Sequence, residues 1–305
     1  MINNIKKVLI IENPKSGQGN SGLNDFKILL LELEITVTDR MLGENKDLKE
    51  MLSDVANFDC VVTAGGDGTV CAVSHIIMNK GVPIFVFPAG TANLVAQNLG
   101  MSKTPEELIK VLMDGPTMAI DIPVLTSSSK TMGFIVAAGA GFDAEMIKES
   151  ESMKASLGTL AYVFGALKQA VPKEAEFTLT MDGKEVKTKG ICALVANLGM
   201  INFKIPLAEG IDPTDGLVNV IIFKGASLLS LTPNIIDSIK HKFGIGETQF
   251  DENLEMYTCR KIKIESDPTM PVQYDGEVLG EDTPITIEVM PKAVNFFYAD
   301  PDVKT

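Results

Sequence analysis

Three times in the first hundred residues, an apolar β-rich run ends in a loop of glycine and small polar residues that leads into a helical segment. The loops are Asn13-Pro14-Lys15-Ser16-Gly17 behind residues 8–11, Gly65-Gly66-Asp67-Gly68-Thr69 behind 60–64, and Pro88-Ala89-Gly90-Thr91-Ala92-Asn93 behind 84–87. Strands alternating with helices predict a parallel sheet with helices on its faces. In such a sheet all three loops fall at the carboxyl ends of the strands, where ligands bind.

Backbone amides at a glycine-rich turn and helix start carry partial positive charge, and the missing side chains let phosphate oxygens approach. Three converging loops therefore point to a polyphosphate. The spacing is not GxxxxGK[ST], so Lys15 does not take the P-loop lysine role, and no GxGxxG follows the first strand. Asp67 is the distinctive residue. A carboxylate among phosphate-binding amides repels the ligand unless a cation stands between them, so it suits a magnesium-bound nucleotide or a base acting on an acceptor hydroxyl. Both roles belong to phosphoryl transfer.

The charge balance, 27 basic against 40 acidic residues, gives −13, with 45% of residues hydrophobic. This is a globular composition, and its sign opposes nucleic-acid binding as the main task. Cys60, Cys71, Cys192 and Cys259 have no CxxC spacing and read as reduced packing residues of a cytosolic protein. His75 and His241 lack metal-ligand neighbours. The start of the chain is not a secretory signal, and the short, glycine-rich stretch 132–142 is no transmembrane segment.

Helix stripes are expected at Leu23, Phe26, Leu30 and Leu33, and at Leu48, Met51, Leu52 and Val55. Thr104, Pro105 and Glu107 predict a capping box at the head of another helix. After about residue 121 longer β-rich runs take over, at 177–181, 184–189, 191–197, 217–223, 261–265 and 285–290, with a hairpin signal at Asp182-Gly183. Helices are expected at 155–171 and 227–243. The fold class is thus α/β in two domains: an α/β parallel-sheet nucleotide-binding domain over 1–121 and a mostly antiparallel β-rich domain over 122–291. A last strand at 294–298, within 292–305, is expected to return to the first domain.

Gly65 to Thr69, with Asn13 to Gly17 upstream and Pro88 to Ala96 downstream, resembles the diacylglycerol kinase catalytic domain family, which includes sphingosine and ceramide kinases and small bacterial lipid kinases. GGDGT is shared with NAD kinases and phosphofructokinases, whereas PxGTxNxxA is more specific. Gly139 to Ala144, Asp215 to Val220 and Asp275-Gly276-Glu277 resemble the family's GxGxDA, DGxLDV and DGE, so the likeness covers nearly the whole chain. Cys71-Ala72 replaces the family's usual Asn-Glu, and Asn219 replaces an Asp.

The resemblance implies an ATP- and Mg2+-dependent lipid kinase. Asn13, Lys15, Ser16, Gly17, Gly65, Gly66, Asp67, Gly68, Thr69, Thr91 and Asn93 would bind nucleotide, with Thr38 a weaker candidate beside it. It makes Glu277 the base that takes the lipid hydroxyl proton, with Asp67 competing and Asp275 assisting. On the residues alone, Asp275 and Glu277 flank a glycine in a hairpin turn that could aim both carboxylates to one side. The resemblance further implies a structural magnesium held by the Asp215 carboxylate and the Asp212 and Leu217 carbonyls. The apolar face of 155–171, with Lys154, Lys168 and Lys173 around it, reads as core or as a cleft wall meeting lipid at the membrane surface. Other readings are a soluble-substrate kinase of NAD-kinase type and a nucleotide-binding regulatory protein without turnover. The acceptor lipid and the oligomeric state, a homodimer included, stay open.

Overall fold

The computed structural model describes residues 3–16, 21–43, 47–91, 93–102, 104–141, 174–198, 200–202, 205–206, 211–224 and 254–299. Gly17, Ala92, Phe142 to Ala144, His241 and the expected helices at 155–171 and 227–243, with their lysines, lie outside these residues. The chain divides into two compact units, Met1–Ile122 with Lys292–Thr305, and Pro123–Pro291.

The first unit runs β1 (Lys7–Glu12), α1 (Ser21–Glu32), β2 (Thr36–Met41), α2 (Leu48–Met51), β3 (Cys60–Gly65), α3 (Asp67–Ile77), β4 (Ile84–Pro88), α4 (Leu94–Asn98) and α5 (Pro105–Asp114). The strands lie in the order β2-β1-β3-β4, all parallel. Val8 to Ile11 and Cys60 to Ala64 are fully buried, which is why these strands read as unbroken apolar runs instead of alternating ones. Phe26 of α1 stacks on Phe85 at 5.6 Å and meets Phe87 at 5.4 Å, fixing the helix on the sheet.

Two local expectations change. Leu33 lies beyond α1 and is 48% exposed, because Glu34 takes φ +58 and turns the chain out of the helix. The stripe from Leu48 to Val55 is split into α2 and a 3-10 turn at Val55–Asn57, and Met51, Leu52 and Val55 are buried all the same. At α5, Thr104 is the N-cap and Pro105 follows it, but the Thr104 side chain makes no capping bond. Glu107 accepts from the Ser102 hydroxyl, which itself caps the Thr104 amide at 3.2 Å.

The chain continues as β5 (Thr117–Thr126), β6 (Thr131–Gly133), β7 (Ala137–Ala140), β8 (Ala175–Met181), β9 (Lys184–Gly190), β10 (Cys192–Ala196), β11 (Met200–Asn202), β12 (Ile205–Pro206), β13 (Val218–Phe223), β14 (Leu254–Cys259), β15 (Lys261–Asp267), β16 (Pro271–Tyr274), β17 (Glu277–Asp282) and β18 (Ile285–Phe297). In the second unit an antiparallel sheet has the order β14-β13-β10-β7-β16-β17, while β15 pairs with β8 and with the first residues of β18, and β8 with β9. Asp182 and Gly183 take φ +47 and +83 at the β8–β9 turn, the geometry the Asp-Gly pair signals. One face of the six-stranded sheet, carrying Ala138, Val195, Val220 and Val272, shares a core with Phe177, Leu179, Ile262, Ile264, Ile285 and Ile287.

The strands expected at 285–290 and 294–298 form one strand, β18. It ends in the first unit, where Phe296 pairs with Ile84 and the Lys292 amide donates to buried Asp121 at 2.6 Å. All four cysteines are buried and outside any disulfide, and among the described residues no helix is long and apolar enough to cross a membrane.

Candidate functional site

The three glycine loops of the first unit are bound to one another. The Asn13 amide donates to the Ala64 carbonyl at 2.9 Å, and its side-chain Nδ2 donates to Thr69 Oγ1 at 3.0 Å. The Gly66 amide donates to Ser16 Oγ at 3.2 Å, tying the first loop to the second. The second and third loops pass backbone to backbone: a Cβ on Gly90 would stand 2.4 Å from Gly66 Cα, a contact no side chain can make. Gly65 is equally constrained, since a Cβ there would meet Thr69 at 2.5 Å. Asn93, at φ +51, closes the third loop by accepting from the Gly90 amide at 2.8 Å and donating back to its carbonyl at 2.7 Å. Gly90 was not among the candidates from sequence. Its signal was position alone, a glycine in the loop behind a buried strand.

Gly66 caps α3 with no side chain over it, so the start of that helix presents backbone dipoles where the loops meet. Asp67 opens α3, and its carboxylate accepts from the Val95 amide at 2.8 Å. Burial raises the Asp67 pKa, with the Val95 and Leu94 amides opposing the rise. The start of α3, which has no side-chain cap, and the Asp67 carboxylate at its first residue are a donor set that suits a phosphate chain with a divalent cation.

Lys15 is exposed, its amide donating to Asn13 Oδ1 at 3.1 Å, and Thr91 is exposed on the third loop. Thr38 sits in the middle of β2 opposite Leu9, short of the strand's carboxyl end, and no hydrogen bond among the described residues joins it to the loops. On the same strand, Asp39 shares Lys27 with Glu12, which lies 2.9 Å from Lys27 Nζ. Burial works against the Lys27 charge, but the two carboxylates outweigh it and raise its pKa.

In the second unit the β16–β17 turn carries the other acids. Asp275 and Gly276 take φ +43 and +83. The Asp275 carboxylate accepts from the amides of Ile135, Val136 and Ala137 at 2.9, 2.8 and 3.1 Å, and its own amide donates to the Ala137 carbonyl at 2.8 Å. Glu277 is exposed and lies across from Tyr274, whose hydroxyl donates to it at 3.4 Å. The two carboxylates therefore have separate surroundings rather than a shared side of the turn: one clamps backbone, the other faces solvent.

Asp212 accepts from the Thr214 amide and hydroxyl at 2.9 and 2.7 Å, and Asp215 accepts from the Leu217 amide at 2.8 Å, across a Gly216 at φ +79. Among the described residues no three His, Cys, Asp or Glu side chains converge on a point. A cation at this loop must therefore rely on carbonyl oxygens beside Asp215, a donor set that suits a hard ion such as magnesium.

Residues 7–124 match the diacylglycerol kinase catalytic domain, and residues 136–298 match the YegS C-terminal NAD kinase beta sandwich-like domain. "Putative lipid kinase SH2167" of Staphylococcus haemolyticus is 31% identical over 253 residues, 81% of this chain and 77% of that protein. "Putative lipid kinase" of Staphylococcus carnosus is 27% identical over 308 residues, 96% of each. A solved chain described as "a putative diacylglycerol kinase from Bacillus anthracis str. Sterne" superposes with a TM-score of 0.81 over 100% of both chains at 22% identity, a likeness of fold. With both of its domains matched, the chain belongs to the diacylglycerol kinase catalytic domain family.

Proposed function

We propose that the protein transfers the γ-phosphoryl group of ATP to a hydroxyl of a lipid such as diacylglycerol. The observation that carries this reading is the joined set of loops, in which Gly66 and Gly90 pass backbone to backbone at the head of α3 and the Asp67 carboxylate ties that helix to the Val95 amide. Asn13, Ser16, Thr69 and Asn93 hold the loops in register, and the amides at the head of α3 face the phosphates. Magnesium, when bound, neutralises charge on the phosphate chain. Asp67 is the residue that would hold it, and Asp215, with the carbonyls of Asp212 and Leu217, would hold a second, structural ion.

Glu277 is the assigned base. Its exposed carboxylate takes the proton of the lipid hydroxyl as that oxygen bonds to the γ-phosphorus, and the bond to the β-phosphate oxygen breaks to release ADP. Asp275 acts through position: its three amide contacts fix the turn from which Glu277 projects. The family match and the names of the relatives support a lipid acceptor. The replacement of the family's Asn-Glu by Cys71-Ala72 falls on a buried cysteine and an exposed alanine of α3.

Incubating the purified protein with γ-labelled ATP, magnesium and a panel of lipids in mixed micelles tests the reading. Label in an extractable lipid is expected, and label in none of them, with NAD as a soluble control acceptor, would contradict it.

A further inference from the structure

Strand β2 is the outermost strand of the parallel sheet, and among the described residues no strand pairs with its outer side. The Thr36 amide donates to the Lys6 carbonyl and the Leu42 amide to the Glu12 carbonyl, both at 2.8 Å, so the even-numbered residues of β2 bond to β1. The amides and carbonyls of Val37, Asp39 and Met41 therefore point away from the sheet. Open edges are normally blunted by lysine, proline or a bulge, and β2 has none of these. Its two charges are already paired inside the chain, Asp39 with Lys27 and Arg40 with Asp54 at 2.6 Å.

The surroundings of this edge are apolar. Of the six large apolar side chains that stay exposed among the described residues, four belong here: Ile28 and Leu31 on α1, Leu33 after it, and Met41 at the end of β2. Lys27 of α1 reaches Asp39 of β2, so the flank of α1 that carries Leu31, one turn on from Lys27, lies on the β2 side. The opposite flank is covered, since a Cβ on Gly22 would lie 3.9 Å from Pro105 of α5. At the start of β2, Leu33, Glu34 and Thr36 line an open cavity of about 710 Å³ together with Lys6 and Met113.

We infer that two copies of the chain form a dimer in which β2 pairs antiparallel with the partner's β2 across a two-fold axis, joining the two parallel sheets into one. A row of directed amides and carbonyls is satisfied by another strand and not by a lipid surface, and a two-fold axis lets one edge serve as both halves of the contact. An axis at Asp39 or at Arg40 would set like charges opposite each other, and one at Val37 would shorten the ladder. With the axis at Thr38, Thr38 faces the partner's Thr38, Val37 faces the partner's Asp39, and Thr36 faces the partner's Arg40. The same register sets the partner's Met41 opposite Ile35, between Glu34 and Thr36 of the cavity wall. Met41 points to the α1 side of the sheet, as Asp39 does two residues earlier. The exposed side chain that ends one β2 thus meets the open cavity that begins the other, and the axis makes this fit twice.

Sedimentation velocity of the full chain at micromolar concentration is expected to show a dimer. Thr38→Cys should link to its counterpart under mild oxidation with oxidised glutathione, because facing residues that share no hydrogen bonds stand about 4.5 Å apart at Cα, within reach of a disulfide. Thr36→Cys is the control: in this register its counterpart lies about 14 Å away, and no link is expected. The native cysteines are buried and leave the comparison clear. Met41→Glu changes an exposed side chain and sets an acid beside the partner's Glu34 on both sides of the axis, so it should raise the dimer dissociation constant about a hundredfold. Should Met41→Glu fail to fold, the two cysteine variants decide by themselves. A monomeric wild type, a dimer that Thr38→Cys does not link, or a folded Met41→Glu that dissociates no more readily overturns the assignment of β2 as the interface. A link through Thr36→Cys in place of Thr38→Cys overturns the register, and with it the fit of Met41 to the cavity.

Discussion

Asp67 accepts the Val95 amide at 2.8 Å, so the acid that begins the helix after the second loop also holds the helix after the third. Burial raises its pKa above the ordinary aspartate value. A raised carboxyl favours the folded state while protonated, and that contribution is lost as pH rises through the folded-state pKa. Ionised Asp67 thus costs stability near neutral pH. In Asp67→Asn the amide oxygen can still accept from Val95 while the charge is gone. Without nucleotide, its Tm at neutral pH should equal or exceed that of the wild type, with the gap closing toward acid. Kinase activity should fall by about 10²-fold or more. A clear loss of Tm at neutral pH would show that the charge is structural.

Gly90→Ala tests the close passage of the second and third loops. The added methyl would lie 2.4 Å from Gly66 Cα and 2.8 Å from Asn93 Oδ1, so backbone has to move. Overpacking of this kind costs about 1–3 kcal/mol, and the Tm rise on adding magnesium-ATP should largely disappear. Gly22→Ala in α1 is the control, its nearest neighbours at 3.8 and 3.9 Å leaving room for a methyl. Equal nucleotide responses in the two variants would mean that the loops do not form the phosphate cradle.

Asp275 and Glu277 should separate cleanly by variant. Asp275→Ala leaves the amides of Ile135, Val136 and Ala137 without their carboxylate and should cost at least about 1–3 kcal/mol by denaturant unfolding. Glu277→Gln changes an exposed side chain, so stability should hold while lipid phosphorylation drops by roughly 10²–10⁴-fold. A stable Asp275→Ala would contradict the clamp.

Asp215→Ala addresses the proposed structural ion. Magnesium should raise the Tm of the wild type more than that of the variant, since an ion bound only by the folded state stabilises by mass action. Equal protection of both proteins would leave the 211–217 loop as a turn and nothing more.

The first unit was legible because each β-α step repeats one pattern. Buried strands such as 60–64 announce themselves by continuous apolar residues, and the glycine loops by their place after them. The Asp182-Gly183 turn was equally plain, since both residues must take positive φ. Leu33 misled because helical spacing does not report where a chain leaves the helix, which here is set by Glu34. The join in β18 was hidden by Lys292 at φ +50, whose amide is satisfied by Asp121, 171 residues away in sequence. Long-range pairings decide the site in the same way. Nothing local to Asp275 says that its carboxylate faces Ile135 to Ala137, or that Gly90 passes against Gly66.

The most direct measurement of the central claim is transfer of label from γ-labelled ATP to diacylglycerol by the wild type, Asp67→Asn and Glu277→Gln, with magnesium-ATP binding followed on the same samples by thermal shift. Labelled phosphatidic acid from the wild type, with Glu277→Gln binding nucleotide normally and transferring at least about 10²-fold less, is the predicted result. Nucleotide binding by all three proteins with no labelled lipid from any of them, or full activity in Glu277→Gln, would contradict it.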